Sequence, residues 1–187
     1  MDPLLINLPE QIETPRLLLR VPVPGDGAIV HPSVCRSIDE LNAWMPWAKR
    51  DYSLDDAESW CRRVRAEFYL RVQWQFILLD RASGAHLGNV GAHRFNWDTP
   101  SAEIGYWLRT DATGKGLMTE AVRAISDRLI EEHGFRRIEI RCDELNQRSA
   151  GVAERSGYEL QARLRCHARD HHGSLRDTRI YAHVIAE

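Results

Sequence analysis

Apolar and polar positions along this chain fall into short stretches of strand-like period, separated by longer ones of helical period. Residues 16–23 set Leu17, Leu19 and Val21 against Arg16, Leu18 and Arg20, which predicts a first strand after Thr14-Pro15. Pro22, Pro24 and Gly25 end it, and Asp26 is placed to cap a helix over the 28–38 region. Residues 41–47 carry Trp44, Pro46 and Trp47 and read as an aromatic loop. Ser53 stands before Leu54-Asp55-Asp56, a capping signature for a helix reaching about Leu70. Residues 74–79 and 86–95 read as a hairpin about the Ser83-Gly84 turn, and residues 102–108 as the next strand.

From Gly116 the period changes. Leu117, Met118, Ala121, Val122, Ile125, Leu129 and Ile130 recur at helical spacing to about His133, and Gly134 stops the helix. Ile138, Ile140 and Cys142 then alternate against charges, predicting a strand over 137–142. A helix follows from about Gln147 to Ser156, and two strands near 159–167 and 179–185 flank a polar turn at 170–174. The order is strand, two helices, three strands, helix, strand, helix, two strands. Strands separated by a helix imply a parallel crossover, whereas hairpins imply antiparallel neighbours. The fold class expected is α/β, of the α+β kind, with a mixed, mostly antiparallel central sheet flanked by helices. One domain is expected over residues 1–187.

Composition narrows the function. With 187 residues, 43% hydrophobic and 28% charged, the chain has material for one packed core. A formal charge of -2 argues against a nucleic-acid footprint. No basic segment leads into an apolar run near the N-terminus, and no apolar stretch approaches the roughly 20 residues that cross a bilayer. A cytoplasmic protein with no membrane partner is expected. Cys35, Cys61, Cys142 and Cys166 are irregularly spaced and read as reduced thiols, Cys142 as a small buried hydrophobe.

The segment Leu108-Arg109-Thr110-Asp111-Ala112-Thr113-Gly114-Lys115-Gly116-Leu117-Met118-Thr119-Glu120 carries the most chemistry. A strand ends, two glycines bracket a lysine, and a long helix begins. Such a bend turns backbone N–H groups towards one point beside the positive end of the helix dipole, which suits a phosphate. It reads equally as a glycine turn that only starts a helix. The Gly-Lys-Ser/Thr ending of a nucleotide loop is absent.

In its wider setting this segment resembles the pyrophosphate motif of the GNAT acetyltransferases, Gln/Arg-x-x-Gly-x-Gly/Ala. Four further stretches resemble the RimJ/RimL-like protein N-acetyltransferase branch: Thr14-Pro15-Arg16-Leu17-Leu18-Leu19-Arg20, Leu41 to Trp47, Ala102-Glu103-Ile104-Gly105-Tyr106-Trp107-Leu108, and Arg141 to Ser149 with its Gly157-Tyr158 ending. Asp111 departs from the Gln/Arg of the broad motif. Ala153 stands where many members carry a tyrosine general acid.

The resemblance implies acetyl-CoA as cosubstrate, no metal, and direct attack by a primary amine through a tetrahedral intermediate. The acceptor implied is a protein N-terminus of the ribosomal type; a small amine or drug, or a non-catalytic acyl-CoA-binding module, are the alternatives. A homodimer is a further implication. The coenzyme is expected along Trp107, Leu108, Thr113, Gly114, Lys115, Gly116, Leu117, Met118, Thr119 and Asn146, the last reading also as a helix N-cap. Glu103 is the candidate base, through a water, or else a solvent-facing carboxylate. Ser149 is placed near the leaving sulfur, or else is a first-turn helix residue. Trp44, Trp47 and His171 are expected near the acceptor. His167, Asp170, His171 and His172 flank a hairpin turn and lack metal-ligand spacing.

Overall fold

The computed structural model describes residues 2–170 and 172–185. Among them, eight strands form one sheet in the order β1-β2-β3-β4-β5-β6-β8-β7. These are β1 (Gln11–Glu13), β2 (Leu17–Arg20), β3 (Trp74–Asp80), β4 (His86–Asn96), β5 (Ser101–Leu108), β6 (Arg137–Asp143), β7 (Glu159–Arg169) and β8 (Leu175–Val184). Neighbours are antiparallel except β5 and β6, which run parallel. The expected mixed, mostly antiparallel sheet is present.

Alternation along the central strands divides the core between two faces. Phe76, Leu78, Val90, Ile104, Ile138 and Ile140 pack with Met118, Ala121, Val122, Ile125 and Leu129 of helix α4 (Leu117–Glu131). Helix α5 (Gln147–Arg155) adds Ala150 and Ala153 to the same cluster. On the opposite face Ile77 and Trp107 meet Val30 and Val34 of α1 (Gly27–Arg36), with Ala57 and Cys61 of α3 (Leu54–Tyr69). Leu41 joins them from the short α2 (Ile38–Asn42), which takes up the start of the expected aromatic loop.

Two local features differ from the expectation. β1 has no counterpart in the sequence pattern, because three residues with one buried side chain, Ile12, carry no periodic signal. Asp26 does not cap α1 with its side chain. Its carboxylate instead takes Arg20 at 2.8 and 2.9 Å, and the start of α1 is satisfied by Glu58, which accepts from Gly25 and Gly27 N–H. The capping box at Ser53 and Asp56 forms as expected.

α4 supplies the largest helical contribution to the core, and Ile125 within it is fully buried. Ile125→Ala is expected to cost about 2–5 kcal/mol of unfolding free energy, measured by urea denaturation. A loss under about 0.5 kcal/mol, typical of surface substitutions, would contradict this packing.

Candidate active site

β5 and β6 pair only over Ser101–Glu103 against Arg137–Glu139 and then part. The remainder of β5, from Ile104 to Leu108, therefore presents a free backbone edge to a wedge, whose other wall is the end of β6. At its mouth, a turn of 3-10 helix (Thr110–Ala112) leads into the glycine bend. Gly114 and Gly116 have φ of 77° and 75°, a left-handed conformation that costs a side-chain-bearing residue about 1–2 kcal/mol. The first helical bond runs from Glu120 N–H to Gly116 O at 3.0 Å, so the N–H groups of Leu117, Met118 and Thr119 precede it. Among the described residues the buried Thr119 Oγ1 has no hydrogen-bond partner. Orphan donors at a helix start beside a free hydroxyl fit a diphosphate.

A clamp holds this bend in place. Glu120 accepts from Thr14 Oγ1 at 2.6 Å, from Arg16 N–H at 3.0 Å and from Arg16 Nε at 2.6 Å, while Arg16 Nη1 donates to Lys115 O at 2.8 Å. The Thr14-Pro15-Arg16 segment thus does more than begin a strand: it ties the sheet's edge to the head of α4. Burial pushes the Glu120 carboxyl up, but the Thr14 and Arg16 hydrogen bonds outweigh it and hold the group below its ordinary range. Asp111 is paired with Arg109 at 2.6 and 3.0 Å, so its charge is offset beside the glycine bend.

Ser149 lies in the first turn of α5, and Asn146 caps that helix by accepting from Ser149 N–H at 3.0 Å. Both first-turn readings therefore hold. The Ser149 hydroxyl also meets Tyr106 Oη at 3.0 Å. Sequence reasoning misses Tyr106 as a site residue, although alternation already sets it on the α4 side of β5. Burial pushes its phenol well above the ordinary range, so it stays protonated. Ala153 is fully buried, and Cys142 is a buried thiol whose pKa burial raises.

Glu103, Gly105 and Trp107 face the other side of β5, towards α1 and α3. Glu103 is mostly buried and sits 2.9 Å from Arg94 Nη1, 3.2 Å from Arg141 Nε and 3.5 Å from His93 Nε2. Desolvation raises its pKa, but the His93 hydrogen bond and the charges of His93, Arg94 and Arg141 bring it below the usual carboxylate range. Trp47 and Trp107 line a cleft of about 580 Å³ with Tyr52, Trp60, His93 and Gly105. Trp44 lines an adjoining cavity of about 280 Å³ with Glu103, Arg94 and Arg141. The 43–47 loop thus sits over the strand that carries Glu103, with Trp44 and Trp47 partly exposed on either side. His167 meets Thr178 Oγ1 at 3.1 Å, and His171 lies outside the described residues.

The model of the acetyltransferase (GNAT) domain matches residues 16–159. The chain belongs to the GNAT acetyltransferase family. The ribosomal-protein-serine acetyltransferase of Escherichia coli (strain K12) is 32% identical over 99 residues, 51% of this chain and 55% of that protein. The chain thus matches about half the length of that relative. YdaF of Bacillus subtilis (strain 168), a candidate ribosomal N-acetyltransferase, is 32% identical over 80% of this chain and 81% of its own. The structure of RimL, a ribosomal L7/L12 alpha-N-protein acetyltransferase in complex with coenzyme A, superposes with a TM-score of 0.88. It covers 94% of this chain and 98% of its own at 21% identity, which speaks to the shared fold.

Within this GNAT fold the clamp at Glu120 has a measurable signature. Because its folded pKa lies below the ordinary 4.5, its stabilisation is present above that value and is lost as pH falls through the folded pKa. Glu120→Gln is expected to lower unfolding free energy by about 1–2 kcal/mol at neutral pH. That gap should narrow progressively as the solution is acidified below the ordinary carboxylate pKa of about 4.5. Urea melts that show the same gap at pH 7 and pH 3 would contradict the clamp.

Proposed function

We propose that this chain is an acetyl-CoA-dependent N-acetyltransferase acting on a primary amine, the α-amine of a protein N-terminus of the ribosomal type. The observation that carries this is that one strand joins two features: β5 leads at its carboxyl end into the glycine bend and the start of α4, and its Gly105 and Trp107 line the cleft. Both curated relatives described above carry names of ribosomal acetyltransferases, which supports the acceptor class.

The glycine bend and the N–H groups of Leu117, Met118 and Thr119 hold the diphosphate. The free edge of β5 near Leu108 takes the acyl arm, with Trp107 and Asn146 flanking it. The thioester supplies an activated acetyl carbon and departs as a thiol. A backbone N–H on that edge faces the negative charge developing on the carbonyl oxygen. Tyr106 and Ser149, hydrogen-bonded to each other, stand where a departing thiolate needs a proton, and so occupy the role that Ala153 leaves open. On the acceptor side Glu103 is a fixed negative charge beside the incoming ammonium.

α-Amines and lysine amines differ by about 2.5 pKa units, or roughly 3.5 kcal/mol of deprotonation cost at neutral pH. A site whose one buried carboxylate is tied to two arginines suits the less basic amine. In a free-thiol release assay, a peptide with a free N-terminus is expected to outrun its N-blocked, lysine-bearing counterpart by at least about tenfold in kcat/KM. A preference for the lysine peptide, or for small amines over both, would overturn the acceptor assignment.

A further inference from the structure

We propose that His93 is the group that takes the proton from the incoming ammonium, and that Glu103 positions its imidazole. This rests on the reading of the chain as an amine acetyltransferase.

Three observations converge on His93. The first is a bulge. β4 and β5 pair regularly until His93 stands opposite Glu103, and the register then slips before Asn96 and Ser101 pair again. Arg94, next in the chain, has φ of 54°. In a regular strand neighbouring side chains point to opposite faces. Here both His93 and Arg94 reach the same carboxylate, at 3.5 and 2.9 Å. Bulges of this kind re-aim side chains beside active sites.

The second is the bare strand beneath the ring. A Cβ on Gly105 would lie 3.2 Å from His93 Cε1 and 3.8 Å from Nδ1. The imidazole therefore leans over backbone that carries no side chain, on the strand whose free edge forms the wedge. Its surroundings open into the cleft shared with Trp47 and Trp107.

The third is the division of the two ring nitrogens. Nε2 is the ring nitrogen nearer ionised, acceptor-only Glu103, at 3.5 Å, so a hydrogen on Nε2 is the tautomer this carboxylate favours. That leaves the Nδ1 lone pair for the acceptor. Glu103 itself is a poor proton acceptor, because Arg94 and Arg141 favour its ionised form. The imidazole beside it offers a ring nitrogen lone pair that is not tied up by an arginine. The charged groups around the ring are Glu103 on β5, Arg141 on β6, and Arg94 on its own strand. Lys49, Asp51, Asp56 and Arg63 line the cleft with it.

The step balances. One ammonium proton passes to His93 Nδ1, giving an imidazolium beside Glu103. The amine lone pair forms the N–C bond, the C–S bond breaks with its electron pair on sulfur, and Tyr106 with Ser149 delivers a proton to it. The new amide nitrogen sheds its second proton to solvent, the Tyr106–Ser149 pair regains one from solvent, and the imidazolium returns its own, so one proton is released in net with the free thiol.

The test is kcat and KM from about pH 6 to 9.5, with acetyl-CoA and a short peptide bearing a free N-terminal serine. The chains compared are the wild type, His93→Gln, Glu103→Gln and Gly105→Ala. Loss of the base is expected to lower kcat by about 100-fold or more at pH 7 in His93→Gln, with acetyl-CoA affinity by calorimetry unchanged. The deficit should shrink above about pH 8, where the α-amine loses its proton unaided. Glu103→Gln should lower kcat less than His93→Gln while leaving KM for acetyl-CoA unchanged, since the imidazole loses the partner that orients it. Gly105→Ala, whose methyl would meet the ring at 3.2 Å and press on it, should show a smaller deficit with the same pH dependence and reads the same role should His93→Gln misfold. A His93→Gln chain within about threefold of wild type at pH 7, or a deficit equal at every pH, would overturn the role of His93. A folded wild type that binds acetyl-CoA yet releases no thiol with the peptide would overturn the amine-acetyltransferase reading itself.

Discussion

A parallel strand pair within an otherwise antiparallel sheet cannot be joined by a hairpin; it needs a crossover. Here the crossover between β5 and β6 is the glycine bend followed by α4. This one constraint sets the helix's positive end at the carboxyl end of β5, where the two strands have already separated. The same backbone therefore supplies anion-accepting N–H groups and a free strand edge, a few residues apart. No basic side chain is needed for that, and Asp111 beside the bend is tolerated because Arg109 pairs with it. Gly114 and Gly116 make the geometry possible, and the apolar face of α4 holds it against the sheet.

Charged groups act at the edges of this frame. Glu120 joins the first strand region to the head of α4 through Thr14 and Arg16, so the glycine bend is braced from outside the crossover. Glu103 is likewise immobilised, by Arg94 and Arg141. A carboxylate held so firmly in its ionised form is suited to orienting a neighbour. That neighbour is His93, whose ring lies between Glu103 and bare strand.

Much of this is legible in the chain itself. The switch of period at Gly116, the Ser53 capping box and the alternation that sets Glu103 apart from Ile104 and Tyr106 all appear in three dimensions. What escapes a reading of the chain depends on partners distant in sequence. Asp26 has the residue type of a cap, yet Arg20 occupies it. The clamp role of Arg16 needs Glu120, 104 positions away. His93 reads as one polar residue in a strand, because a bulge leaves no periodic trace beyond a single shifted position. Tyr106 reaches Ser149 across 43 residues, a pairing that the spacing of neither reveals.

The claim on which the rest stands is that backbone at the left-handed glycines receives the coenzyme's diphosphate. Titration calorimetry of acetyl-CoA into wild-type protein and into Gly116→Val tests it most directly. Uptake by the wild type is expected, weakened at least about tenfold in the variant, whose β-branched residue cannot adopt φ of 75° without strain. Folded wild-type protein that takes up no acetyl-CoA, or a Gly116→Val chain that binds it equally well, would contradict the account.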